Sequence, residues 1–169
     1  GGLLKGVGAW PWGRAGPGMS GSMSRGVLNV VPLPWEAVTS FRLNELADKH
    51  TQIGLYSLAF VVTMNNRVYD SMPDDLKQIV NDNSGIEWAL KLGAAYDRLD
   101  KKGLQQAKDM GHEITVIEGG VQNPEWKPMI DTAVNTYTQS LKEQGINADP
   151  IINRAMALSS TCNQQVVIK

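Results

Sequence analysis

Cysteine is nearly missing from these 169 residues: the single thiol, Cys162, excludes an intrachain disulfide and a cysteine-based zinc cluster. A surplus of charge of either sign is missing too. With 16 basic and 17 acidic side chains the net charge is -1, so there is no electrostatic reason to expect nucleic acid or an anionic membrane as partner. No run approaches the roughly 18 consecutive apolar residues that a membrane span needs. The opening GGLLKGVGAWPWGRAGPG is too rich in Gly and Pro for the apolar core of a signal peptide. Short motifs with a mechanism behind them are absent as well: there is no G-x-S-x-G, Walker loop, H-E-x-x-H or G-x-G-x-x-G, which argues against an enzyme.

What is present is enough for one domain with a core, since 42% of the side chains are hydrophobic. Residues 1–25 concentrate Gly, Pro and Ser and form a poorly specified lead-in. From Gly26 the text changes. Val27, Leu28, Val30 and Val31 form a short β-branched run closed by Pro32 and Pro34, which predicts a strand ending at a sheet edge. A helix is expected from Trp35 towards His50, and the continuous LYSLAFVVTM of residues 55–64 reads as a central strand. Ser71, Pro73, Asp74 and Asp75 outline a capping box, followed by one continuous or gently bent helix to about Met110, about 55 Å long. Bends are expected at its glycines. His112 to Ile117 alternates as a strand, Trp126 to Leu141 recurs at helical spacing up to a stop at Gly145, and Asp149-Pro150 opens a last short helix. Residues 159–169 form a tail without pattern.

Candidate chemistry is thin. His112 beside Glu113 at a strand start reads as a solvated pair, His50 as a helix-end histidine favoured by the dipole, and Asp74-Asp75 as first-turn acids rather than metal ligands. Cys162 has no neighbouring base or CxxC spacing. The segment Pro32-Leu33-Pro34-Trp35-Glu36 differs: an aromatic at a strand end suits a ligand wall, and equally suits packing of the following helix on the sheet. The residues alone leave both open.

The order of a strand, PLPWEAV, a helix, AFVVTMN, then YDSMPDDLKQIV before a long helix resembles the C-terminal half of TRAP-transporter (tripartite ATP-independent periplasmic) solute-binding proteins. Residues 24–158 carry the resemblance, with a fainter echo around Leu3 to Ala9 and Pro11; Val30 departs from it, standing where the family usually has Gly. The resemblance implies an α/β fold of the type II periplasmic-binding-protein kind, incomplete, with a long helix spanning the lobes and residues 26–158 as its C-terminal part. It also implies a periplasmic, non-enzymatic receptor without cofactor or metal, which takes a small carboxylate solute to TRAP permease membrane subunits. By the same resemblance Leu33 and Trp35 fall in the hinge segment that lines the pocket, and Phe60 falls where the second strand offers a pocket side chain. Leu33 stands at a place that is polar in some members, which implies a more apolar solute. The carboxylate-clamping arginine is expected upstream of residue 1, so the chain alone is expected to bind organic acids weakly and to self-associate through its uncovered apolar strands. The alternative is a helical dimerisation domain, marked by exposed apolar positions on two opposite faces of residues 73–110.

Overall fold

The computed structural model describes residues 4–5, 8–13 and 15–165. The chain divides into two compact units, Arg14–Glu118 and Gly1–Gly13 with Gly119–Lys169.

Within the first unit the elements are α1 (Met19–Ser24), α2 (Trp35–Ser40), β1 (Lys49–Gln52), α3 (Asn66–Asp70), α4 (Asp74–Asp82), α5 (Ile86–Asp109) and β2 (Glu113–Val116). The two strands pair in parallel, with Lys49 opposite Glu113 and Gln52 opposite Val116. A parallel pair needs a crossover, and α5 is part of it, so the heart of this unit is a βαβ motif. The strand at residues 112–117 is therefore present; its partner is not either of the runs that the sequence marks as strands. The partner is Lys-His-Thr-Gln, a polar stretch that begins at the end of the region expected to be helical and runs past it.

The reason lies at Arg42. After only six residues α2 ends at Phe41, and Arg42 takes the left-handed conformation at φ 56°. A left-handed turn at a non-glycine residue costs about 1 kcal/mol, and it is offset here by the burial that follows: Leu43 is 3% exposed, and Asn44 is buried with its amide donating to Met110 Sδ at 3.5 Å. Arg42 itself stays outside, with Nε 2.8 Å and a terminal guanidinium nitrogen 2.9 Å from the two carboxylate oxygens of Glu45. Residues 27–31 and 55–64, expected as strands, are extended or turning backbone outside any ladder among the described residues. A β-branched run becomes a strand only when another strand lies beside it, and the two-stranded sheet is made by β1 and β2. The apolar character survives without cover: Val62 is 86% exposed.

The continuous helix expected over 73–110 is also divided. Gly85 sits at φ 82°, ψ -161°, a region open essentially to glycine, and it separates α4 from the 24-residue α5, about 36 Å long. Ser71 does not cap α4; its hydroxyl donates to the Val68 carbonyl, while Asn65 caps α3 by accepting from the Arg67 amide. The lead-in holds α1, in which the buried Ser22 hydroxyl donates back to the Gly18 carbonyl.

In the second unit, α6 (Lys127–Glu143) and α7 (Asp149–Gln165) are joined by a glycine turn. The Gly145 amide donates to the Lys142 carbonyl and the Ile146 amide to that of Leu141, each 2.9 Å, so the expected stop at Gly145 is made by closing the carbonyls of the last turn. Lys142 and Asp149 pair across the turn at 3.1 Å. Helix α7 runs on through part of the tail that showed no pattern; the side chain of Cys162 lies outside the described residues.

Candidate functional site

Helix α2 is where the chain's own long-range contacts concentrate, and its placement follows from two residues of α5. Pro34 precedes it in extended conformation and has no side-chain acceptor to offer the first amides. The missing cap comes from elsewhere: Asp100 Oδ1, on α5, accepts from the Glu36 amide at 3.0 Å. Three residues along, Gly103 is buried, and a Cβ built there would stand 2.4 Å from the Trp35 carbonyl oxygen. The two backbones touch because that position has no side chain.

Trp35 opens α2 on this seat, half-buried. Its indole N–H donates to Gln52 Oε1 at 3.2 Å, and its ring meets His50 at 5.0 Å between centroids. His50 and Gln52 share a face of β1 by the two-residue period of a strand, so one strand face holds both ends of the indole. His50 in turn meets His112 edge to edge, with centroids 5.2 Å apart, planes 19° from parallel, and His50 Nε2 3.0 Å from His112 Nδ1. Burial, then the neighbouring His112, pushes the His50 imidazole below its ordinary value, against an opposing pull from Asp48. His50 is thus a strand residue inside a cluster of rings, not a histidine at a helix end, and His112 meets it rather than forming a solvated pair with Glu113. Glu113 pairs instead with Lys49 at 3.4 Å, on the exposed surface.

Leu33 is half-buried in the extended segment just before α2. Phe60 stands 68% exposed, stacked on Tyr96 of α5 at 5.2 Å with planes 10° apart. Residues 32 and 56 are tied by the Tyr56 hydroxyl, which donates to the Pro32 carbonyl at 2.8 Å. Trp35 and Phe60 therefore take different ring partners, yet both segments seat on one side of α5: Tyr96 and Gly103 are seven positions apart, two turns or about 10 Å along the axis. Sequence reasoning named Trp35 and Phe60 as candidates and gave no such role to His50, Gln52, Tyr96 or Asp100. A signal was present for one of these: Tyr96 falls on the helix's apolar stripe with Leu92 and Leu99, and such a ring needs a partner.

A parallel ladder with a crossover helix is an α/β arrangement shared by many folds. The chain belongs to the bacterial extracellular solute-binding proteins, family 7 (DctP), whose sequence profile matches residues 5–144. Solved structures agree on the fold. A marine metagenome TRAP solute-binding protein specific for aromatic acid ligands, as a triple surface mutant with metahydroxyphenylacetate, is similar at 27% identity and TM-score 0.79 over 94% of this chain and 51% of its own. The same marine protein with 3-hydroxybenzoate gives 26% identity and TM-score 0.77 over the same shares. A TRAP solute-binding protein from Rhodoferax ferrireducens T118 with copurified benzoate is similar in fold at 24% identity and TM-score 0.82, over 98% of this chain and 52% of its own. The chain thus spans about half the length of these structures. No curated protein matches it. The family and these neighbours are solute-binding proteins of transport systems, not enzymes.

Proposed function

We propose that this chain contributes part of the solute site of a periplasmic TRAP-type receptor for a small carboxylate, with Leu33, Trp35 and Phe60 as apolar wall and an aromatic acid as the solute class. The observation that carries the reading is the mounting of Trp35 and Phe60 along the same side of α5, with Trp35 held by Gln52 and His50 so that its ring is fixed before any solute arrives. Fixed aromatic faces bind a flat ring at little ordering cost. The aromatic acids bound by the structural neighbours favour the same class. A carboxylate also needs a cation, ideally a bidentate arginine, and that clamp lies outside these residues in this reading. Delivery would be to TRAP permease subunits in the membrane.

The test is a nuclear magnetic resonance titration of the 169-residue chain with benzoate and acetate. Millimolar benzoate should shift the Trp35 indole and Phe60 ring signals, acetate should not, and Trp35→Ala should abolish the response. Equal shifts with acetate, or benzoate shifts confined to other residues, would remove Trp35 and Phe60 from the site. Micromolar affinity would place the clamp within these residues.

One observation favours a second reading, a dimerisation helix. On α5, Ile86 and Leu90 share one side, Trp88, Leu92 and Leu99 lie on the opposite side, and all are exposed. Sedimentation separates the two: Leu90→Lys converting a dimer to a monomer would support it, and a monomeric wild-type chain would end it.

A further inference from the structure

The chain has two histidines, 62 residues apart in sequence, and the fold brings them together, His50 on β1 and His112 just before β2. We propose that His50 and His112 form a proton-operated latch: the pair stays closed while it carries at most one extra proton, and the second proton opens it and releases the Trp35 indole from its seat.

The logic follows from what imidazole nitrogens can do. At 3.0 Å, His50 Nε2 and His112 Nδ1 need one N–H and one lone pair between them. Two neutral rings satisfy this, and so do one neutral ring and one imidazolium. Two imidazolium rings cannot, because both nitrogens are then donors, and two positive charges meet edge to edge with ring centroids 5.2 Å apart. The second proton therefore breaks the bond that the first leaves intact, and the pair titrates as a unit in two steps. Trp35 feels the break directly, since its ring lies 5.0 Å from His50 and its N–H reaches Gln52 two residues further along β1.

Charges on the surrounding elements do not cancel this repulsion. Asp48, just before β1, favours the charged form of His50, but burial and His112 outweigh it. Lys49 and Glu113, on β1 and β2, are spent on each other at 3.4 Å. On α2, Glu36 accepts from the Ser40 hydroxyl at 2.6 Å, and on α5, Asp100 is held by the Glu36 amide and Asp109 accepts from the Gln105 amide at 2.7 Å. None of these carboxylates is the hydrogen-bond partner of either imidazole.

The latch is independent of whether Trp35 lines a solute site, so its test uses no ligand. In the full chain, the two histidine ring signals and the Trp35 indole N–H, assigned with Trp35→Phe, are followed from pH 8 to pH 5. Two histidine steps are expected, with the indole signal moving at the more acidic one. His112→Phe keeps a ring beside His50 but removes the shared proton and the second charge, so the His50 midpoint should rise in that variant. An indole that is silent through both steps, or a His50 midpoint unchanged in His112→Phe, overturns the latch. Should the variant fail to fold, the wild-type indole titration decides alone.

Discussion

Gly93 and Gly103 sit in the same helix, and the structure predicts opposite outcomes for the same substitution. Alanine gains about 1 kcal/mol over glycine in a helix interior, so propensity alone would stabilise both. At Gly93 nothing stands within 4 Å of the new methyl, and Gly93→Ala should keep most of that gain. At Gly103 the methyl would lie 2.4 Å from the Trp35 carbonyl oxygen and 2.7 Å from its carbon. Ordinary contact begins near 3.4 Å, and backbone cannot rotate away as a side-chain tip can. Helix α2 has to lift by about 1 Å, an overpacking strain typically of about 1 to 3 kcal/mol. The same movement stretches the 3.0 Å bond from the Glu36 amide to Asp100, and loss of a helix cap costs about 0.5 to 2 kcal/mol. Together these exceed the propensity gain, leaving Gly103→Ala about 2 kcal/mol less stable than the parent. The two variants should then differ by about 3 kcal/mol, or about 1.5 M in urea midpoint at a slope of about 2 kcal/mol per M. Urea unfolding followed by circular dichroism measures this. If both variants shift the midpoint in the same direction, the close approach of α2 to α5 is not how this chain packs.

Asp100→Ala should cost about 1 kcal/mol by leaving the Glu36 amide without its acceptor, while Asp100→Asn, which keeps a carbonyl oxygen at that place, should cost less; the same urea experiment ranks them. Stability should also fall with acid through His50. Its folded value lies below the ordinary 6.5, so the unfolded chain binds the proton more readily: the contribution is fully present above that ordinary value and is lost as pH falls from it towards the folded value. Unfolding midpoints at pH 7.5 and pH 5.5 check the sign, with His50→Gln expected to show a smaller drop and an equal drop counting against the assignment.

Much of the architecture was legible because it depends on local rules. The stop at Gly145, the strand at Glu113–Val116 and the helix of Lys127–Glu143 each carry their signal within a few residues. What was not legible depends on partners distant in the chain. Residues 49–52 look nothing like a strand, and they become one because Glu113–Val116 lies beside them. Residues 55–64 look very much like one and remain extended without a ladder, since β propensity describes fit to a neighbouring strand rather than a preference of the backbone itself. The break at Gly85 was foreseeable as a bend, because glycine lowers helical cohesion; its depth depends on a φ, ψ pair that composition does not specify. Within the candidate site, Trp35 could be picked out as an aromatic at an apparent strand end and Phe60 through the family resemblance. The residues that hold them could not, because His50, Gln52, Asp100 and Tyr96 acquire their roles only when α5 folds back across α2 and β1.

Helix α5 therefore does more than connect two strands. Through Asp100 it supplies the cap that Pro34 cannot, through Gly103 it admits the backbone of Trp35, and through Tyr96 it gives Phe60 a ring to lie on. All three positions are on the side facing these segments, and each compensates for something the partner segment lacks: an acceptor, room, or a covering surface. Phe60 is the weakest of the three attachments, because a single stack on an exposed ring is worth only about 0.5 to 1.5 kcal/mol beyond its buried area, whereas Trp35 is held by a hydrogen bond, a ring contact and a capped helix. The two aromatics thus differ in freedom although they share a support. Trp35 is fixed by Gln52 and His50, and under the proposed latch its position would answer to the protonation of His50 and His112. Phe60 can leave Tyr96 at little cost, so in the proposed site it would be the side chain that adjusts to the solute.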